Sequence, residues 1–469
     1  MFDSLTRNGL WLGLFFLLVA GCTTPEPVQN SGVDLPAGWI VPAESRPTSV
    51  PLVTSTADAE IDQRWWTHFK DPVLDRLIGE ALKNNPSLQI AAARVEEARA
   101  ERRQTAAALY PQINGELSAQ RGNQGYATQN QTINLTQVDL AASWELDLFG
   151  RNQARTAQAT AILQSAEATQ QAVRVALLAD VARNYFEMRS FERQIAIANE
   201  NLDTERRTLE LIQAQLKGAI ASDFDVQRAG AEVSATEALV PALQSAYDSA
   251  VNRLNVLVGV VPGSRDAWLQ QPVEQTALDS GIVIAAPARV LETRPDVRAA
   301  ERQFAASLSD SRAARADLFP DISLTALFGA QSATPFSSTP WGLGVNLVQP
   351  IVNFGRIQGE IEAADARQKA SFANYQKIVL EATENMQDAL SSYLHETARN
   401  ASLATGVSQN RKADELARLQ YTNGYVGLLD VLVVQRNLLD AQASQAVSDA
   451  NLRIDLVGIY AAAGGGWKD

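Results

Sequence analysis

Asn85-Pro86-Ser87-Leu88 opens a run that closes on Leu109-Tyr110-Pro111-Gln112-Ile113, and Arg294-Pro295-Asp296-Val297 opens one that closes on Leu318-Phe319-Pro320-Asp321-Ile322. Twenty-five residues separate the two prolines in each run, and the runs superpose without a gap at an offset of 209. Proline suits the first turn of a helix, where its missing N–H has no partner to lose, and it stops a helix that meets it later. Each run therefore reads as a helix entered at one proline and left at an aromatic-proline pair. Further on, Phe149-Gly150-Arg151 recurs as Phe354-Gly355-Arg356 at an offset of 205. The chain is one unit of about 200 residues written twice, and such an architecture restricts function more than any single motif.

With 469 residues, length alone would suggest two or three domains, but the duplication favours two similar halves sharing one body. Aromatic residues are only 7% of the chain while hydrophobic residues, many of them alanine, are 46%. That balance suits long, closely packed helices better than a large globular core. A formal net charge of -13 argues against nucleic acid, which requires a basic footprint.

Residues 1–21 read as an export signal: Arg7 precedes the apolar run Leu10 to Ala20, too short to span a bilayer comfortably. Val19-Ala20-Gly21-Cys22 resembles the bacterial lipobox, in which the cysteine is acylated and becomes the mature N-terminus; an ordinary signal peptide with an incidental cysteine is the alternative. Cys22 is the only cysteine, so no disulfide supports the exported chain. Residues 22–64 carry six prolines among Ser and Thr between Pro25 and Pro51 and read as an extended tether.

The first repeat is expected over 65–262: short helices, a β-hairpin at about 112–148, a long helix at about 151–216 and a returning helix at about 223–257. A linker at 263–292 leads to the second repeat at 293–469, with a helix, a hairpin at about 321–353, a long helix at about 357–421 and a returning helix at about 428–463. The hairpins follow from alternation: Ile133, Leu135, Val138, Leu140, Ala142, Trp144, Leu146 and Leu148 in one copy, Ile322, Leu324, Ala326 and Phe328 with Leu343, Val345 and Leu347 in the other. Alternation of this kind fits a membrane β-strand or a soluble hairpin packed on helices. Four strands cannot close a barrel and lipid does not tolerate open edges, whereas three chains would supply twelve strands.

Arg151 to Leu216 contains no proline or glycine, a helix on the order of 100 Å at about 1.5 Å per residue. Leu177, Val181, Asn184, Met188, Phe191, Ile195, Ala198, Leu202, Glu205, Leu209, Ile212 and Leu216 step by fours and threes, the spacing of coiled-coil packing. The second copy holds the stepping from Phe372 through Tyr393 and loses it at Glu396. Each long helix ends in a glycine-bearing turn, Lys217 to Ser222 and Thr422 to Gly427, where glycine permits the left-handed residue of a helix C-terminus.

Thr293-Arg294-Pro295-Asp296-Val297-Arg298-Ala299-Ala300-Glu301-Arg302, Leu318 to Thr325, the ending Tyr460 to Trp467, Trp65-Trp66 with Phe69 and Asp71-Pro72, and the lipobox together resemble the TolC-type outer-membrane factors. The match is to their NodT-like lipoprotein branch, which serves resistance-nodulation-division efflux pumps. The resemblance implies a mainly α chain with a membrane β-barrel: a homotrimer whose twelve strands close in the outer membrane above a duplicated coiled-coil tunnel. It implies a lipid-anchored exit duct for drugs or other small molecules, fed by a periplasmic adaptor and an inner-membrane pump. A duct for type I protein secretion and a non-conducting structural periplasmic lipoprotein are the competing expectations. An equatorial belt is expected from residues near 30–70, 258–290 and the C-terminus.

In such factors the returning helix after the second tip carries the gate. The matching stretch here is Gly427 to Arg436, in which Leu429, Asp430 and Arg436 are the candidates, and Val433 stands where a second acidic residue is common. The alternative is that Asp430 caps its helix and Arg436 lies on an exposed face. Asp225 and Arg228 occupy comparable positions in the first copy, and Gly218, Ser222, Gly424 and Gly427 mark the turns expected to meet the adaptor. No cofactor, metal or catalytic site is expected, because His68 and His395 lack the spacing of a zinc site or a triad.

Overall fold

The computed structural model describes residues 32–36, 38–39, 54–56, 62–123, 132–264, 269, 283–333 and 336–467. Cys22, most of the tether and most of the 263–292 linker lie outside the described residues. In chain order the elements are β1 (Thr54–Thr56), a 3-10 turn (Trp65–Phe69), α1 (Pro72–Asn84), α2 (Pro86–Ala106), a second 3-10 turn (Ala107–Leu109), β2 (Gln112–Gly122) and β3 (Ile133–Leu146). Then come α3 (Arg151–Lys217), α4 (Asp223–Leu257), β4 (Val283–Ala285), α5 (Pro287–Thr293), α6 (Pro295–Ala316), β5 (Asp321–Ala333), β6 (Phe336–Ser338), β7 (Trp341–Val348), α7 (Arg356–Thr422) and α8 (Leu428–Ala462). The fold is mainly helical with a sheet. It divides into two units whose boundaries fall inside α2, α3, α6 and α7: Ala92–Ala168 with Arg298–Ile378 and the stretch ending at Gly32, and Val33–Ala91 with Thr169–Val297 and Val379–Asp469.

The first unit holds the antiparallel sheet, ordered β2-β3-β5-β7 with short β6 also on β5. Its register separates the residue types by face. Ile113, Leu117, Val138, Leu140, Trp144, Ile322, Leu324, Phe328, Leu343, Val345 and Leu347 fall on one face, and Asn114, Glu116, Ser118, Gln137, Asp139, Ser143, Ser323, Thr325 and Asn346 on the other. The alternation expected for β3 changes phase: Ile133 and Leu135 lie on the polar face, while Val138 to Leu146 keep to the apolar one. Gly329 faces Asp139 across the sheet, and a Cβ there would lie 2.8 Å from the Val138 carbonyl oxygen.

The two copies repeat at atomic detail in this unit. Ile113 faces Ala142 in the first hairpin, and the equivalent residues Ile322 and Leu347 face each other in the second. Trp144 Nε1 donates to the Leu109 carbonyl at 3.1 Å, and Gln349 Nε2, at the equivalent position, to the Leu318 carbonyl at 3.2 Å. Gly150 and Gly355 both take positive φ, 76° and 86°, to turn the chain from strand to helix. Between the copies, Phe149 stacks on Phe319 with ring centroids 4.7 Å apart. Arg151 bonds Glu145 at 2.6 Å, Asp321 at 2.8 Å and Asp317 at 3.2 Å.

The second unit has its core around Trp65, Leu74, Leu77, Tyr185, Phe186, Met188, Leu254, Met386, Leu390 and Val457. Asp71 caps α1 by accepting from the Val73 and Leu74 amides, and its other oxygen accepts from Tyr185 Oη at 2.6 Å. Asn85 Nδ2 donates to the Leu257 carbonyl at 2.8 Å; Arg294 Nη1, at the repeat position, donates to the Ala462 carbonyl at 2.8 Å. Arg294 also pairs with Asp296 at 2.6 Å. Burial pushes Asp296 up, but the Arg294 hydrogen bonds and charge outweigh it and hold the carboxyl below its ordinary value. The terminal glycines fill a tight fit, since a Cβ on Gly465 would lie 2.7 Å from the Asp62 carbonyl and one on Gly466 2.6 Å from Leu178. β1 pairs in parallel with β4, and Trp39 Nε1 donates to the Ala285 carbonyl.

The stepping of α3 corresponds to burial from Leu177 to Ile212, and Leu216 is exposed. In α7 the burial stripe does not stop at Glu396. It continues through Thr397, Asn400, Leu403, Val407, Asn410, Asp414, Ala417 and Tyr421, all buried or half-buried. Only the hydrophobicity fades, because helix-to-helix hydrogen bonds replace apolar contacts: Asn400 Nδ2 donates to Asp449 at 2.7 Å and Ser448 Oγ to Glu396 at 2.5 Å.

Replacing Arg294 by Met removes bonds to buried carbonyls that no methionine can satisfy, at about 2–4 kcal/mol. We expect melting of the detergent-solubilised protein to fall by several degrees, with Arg294→Lys recovering less than half of the loss, because one ammonium cannot reproduce the guanidinium fork.

Candidate functional site: the tip turns and the amphipathic sheet

Both tip turns are built the same way. At the first, Ile220 N donates to the Gln215 carbonyl and Ala219 stands at φ 57°; at the second, Tyr425 N donates to the Gln420 carbonyl and Gly424 stands at φ 77°. These positions match at the 205 offset. The left-handed residue of the first turn is therefore Ala219, not Gly218, and an alanine there carries strain that glycine at Gly424 avoids.

Each returning helix begins with an aspartate at its third position. Asp225 Oδ2 accepts from the Ser222 amide at 3.0 Å and hydroxyl at 2.7 Å, while Ser222 Oγ accepts from the Asp225 amide, forming a reciprocal capping box. Asp430 Oδ2 accepts from the Gly427 amide at 3.0 Å, half of that box, since glycine offers no hydroxyl. The Ser222 bonds, with the Arg228 charge, hold Asp225 below the ordinary aspartate value. Arg228 also sits over the Phe224 ring, 5.9 Å from its centroid.

The start of α8 presents two faces. Leu428, Val431, Leu432, Gln435 and Leu438 are buried against the chain's own helices, with Leu428 and Leu432 clustered on Ile212 of α3. Leu429, Val433, Arg436 and Asp440 follow at intervals of four, three and four along one exposed stripe, with Leu429 46% and Val433 48% exposed. Asp430 flanks that stripe, one residue and about 100° from Leu429. The two turns are tied by Tyr421 Oη donating to Gln215 Oε1 at 2.8 Å, a bond that sequence reasoning missed because neither residue belongs to a motif. Also missed was a buried polar group beneath the tips, where Gln435 Nε2 donates to Thr208 and burial pushes Glu205 up.

The sheet, described by itself, exposes its apolar face: Ile113 71%, Leu343 81% and Val345 74%. The outer edges of β2 and β7 pair with no other described strand. Among the described residues no helix is long and apolar enough to cross a membrane. An apolar exposed face, a polar opposite face and unpaired outer edges are the features of a barrel segment.

The family model for outer membrane efflux proteins matches residues 77–260 and 286–465. The chain belongs to that family. It is 32% identical to the pyoverdine export outer membrane protein OpmQ of Pseudomonas aeruginosa over 96% of this chain and 95% of the relative. It is 30% identical to the cation efflux system protein CusC of Escherichia coli over 96% of this chain and 97% of that one. The solved outer-membrane channel OprN superposes with a TM-score of 0.85 at 30% identity, covering 95% of this chain and all of that one. The protein is thus an outer-membrane efflux channel.

Because the folded chain lowers the Asp225 value, its cap contributes fully above the unperturbed 3.8 and is lost as pH falls through the lowered value. Protection of the Ser222 and Asp225 amides, relative to their intrinsic exchange rates, should hold down to about pH 4 and fall below it, a step made smaller in Ser222→Ala, which keeps only the amide bond to Asp225. Ala219→Gly should slow opening of the same turn by relieving about 1 kcal/mol of left-handed strain.

Proposed function

We propose that three copies of this chain close their sheets into one twelve-stranded barrel and extend it as a helical duct that passively conducts drugs or other small molecules. A periplasmic adaptor delivers them from an inner-membrane pump of the resistance-nodulation-division type, and acylated Cys22 anchors each chain to outer-membrane lipid. The open-edged sheet carries this reading. Its apolar face suits lipid and its polar face suits a water-filled lumen, but four strands leave edges that hydrocarbon cannot solvate.

Within this reading the exposed stripe of α8 forms the periplasmic constriction, with Leu429 and Val433 as its apolar part and Arg436 as its charge. Asp430 acts by holding the turn, since its carboxylate is bound to the Gly427 amide. Asp225 and Arg228 play the corresponding part at the first tip. The turns at Gly218, Ser222, Gly424 and Gly427 offer themselves to the adaptor. Opening is a movement of the tips, and the energy comes from the inner membrane.

Leu429→Ala with Val433→Ala should raise single-channel conductance in planar bilayers several-fold, whereas Asp430→Asn should change conductance little and loosen the second turn in amide exchange. Deleting the gene should sensitise cells to exported compounds, with restoration by the wild-type chain. Failure of both wild-type and double variant to conduct would favour a structural lipoprotein.

A further inference from the structure

Two buried side-chain oxygens beneath the tip turns receive no hydrogen bond from the protein: Glu205 Oε2 on α3 and Gln435 Oε1 on α8. Glu205 is 6% exposed and Gln435 4%. Thr208 fixes which way the Gln435 amide points. Its hydroxyl gives its one hydrogen to the Thr204 carbonyl at 3.1 Å, so toward Gln435 it can only accept, and Gln435 Nε2 is the donor at 3.3 Å. Turning the amide over would break that bond, so its oxygen stays an acceptor. Thr236 of α4 bonds Glu205 through the other carboxyl oxygen, which leaves Oε2 an acceptor as well.

Buried acceptors without a donor are costly, because they lose water and gain nothing in return. A hydrogen on Glu205 Oε2 makes that oxygen a donor, and a single bond then serves both groups. Resting on the reading of α8 as the constriction helix, we propose that Glu205 is carried as the neutral acid, that its O–H donates to Gln435 Oε1, and that this bond latches α8 to the α3–α4 pair below the tips. The proton is taken from solvent and returned to it, and no other bond changes.

The surroundings favour the neutral form. Burial pushes Glu205 up, the Thr236 hydroxyl opposes it, and the charge of Glu232 on α4 pushes the same way as burial. The adjacent cations of α3 are turned elsewhere, Arg206 to Glu237 at 2.6 Å and Arg207 to Thr204 at 3.2 Å. On α7, buried Asp414 is held by Arg418 at 2.9 Å. The buried face of α8 around Gln435 is uncharged, with Val431, Leu432, Leu438 and Leu439, while Arg436 and Asp440 lie on the exposed stripe. Because the folded chain raises the Glu205 value, the latch is fully present below the ordinary 4.5 and is lost as pH rises through the raised value. Once ionised, Glu205 is a buried charge that again lacks a donor.

A pH titration of the full-length protein in detergent tests the latch by two readouts. Difference infrared spectra should show the carbonyl band of a protonated carboxyl that is lost with a midpoint above 4.5 and is missing from Glu205→Gln. Exchange of the Leu432 to Leu438 amides, relative to their intrinsic rates, should quicken about tenfold through the same midpoint, opposite in direction to the Ser222 step. In Glu205→Gln, whose amide N–H₂ stands in for the acid O–H, exchange should stay slow throughout. In Gln435→Met it should stay fast throughout while the infrared band still titrates. A midpoint at or below 4.5 overturns the latch and leaves an ionised Glu205 solvated by a buried water. An exchange step that survives in either variant overturns it too, and so does one that moves with sodium concentration at constant ionic strength, which would mean a bound cation. Conductance of the Leu429→Ala, Val433→Ala variant in planar bilayers should rise through the same midpoint; a latch that titrates without that rise stands, and overturns the reading of α8 as the constriction.

Discussion

Hydrocarbon offers no partner to a backbone N–H or C=O group, and no other described strand pairs with the outer edges of β2 and β7. That constraint orders the rest of the molecule. It makes the single chain an unfinished object, and the apolar face presented by Leu343, Val345 and Ile113 would be an aggregation hazard in water. Closure by further copies, as proposed above, would remove the edges and give the apolar face lipid to meet.

Duplication gives the two halves one kind of hairpin, and inside the chain β3 pairs with β5 to join them. The copies agree where the backbone must be satisfied: Asn85 and Arg294 reach equivalent carbonyls, and both tip turns close with the same i to i−5 hydrogen bond. They differ where a single chain can afford variety. The internal seam has the Arg151 ion-pair group, and the second returning helix packs through Asn400, Ser448 and Asp449. Hydrogen-bonded helix contacts exchange partners with water more readily than apolar ones do, which suits the half that carries the candidate gate.

Much of this was legible because proline, glycine and the aromatic-proline pairs act locally. Pro86 and Pro295 mark helix starts through their own ring geometry, and the alternation in Ile322, Leu324, Ala326 and Phe328 needs no distant partner to be read. What was illegible depends on neighbours. The burial stripe past Glu396 carries asparagine and aspartate, so hydrophobicity could not reveal it. Ala219 takes the left-handed position although Gly218 stands beside it, because the turn's hydrogen bonds to Gln215 and Leu216 set which residue reverses the chain. Asp430 is bound to the amide of Gly427, a contact three residues away that leaves its side chain committed to the turn.

By itself the amino-acid sequence determined the duplication, the order of helices and hairpins, and the split of strand residues into apolar and polar sets, because periodicity and proline and glycine geometry are properties of short segments. The tertiary structure alone decided which strand edges remain open, which stripe of α8 faces outward, and which repeat positions share a bond. Those depend on residues far apart in the chain arriving at one place, and only packing brings them there.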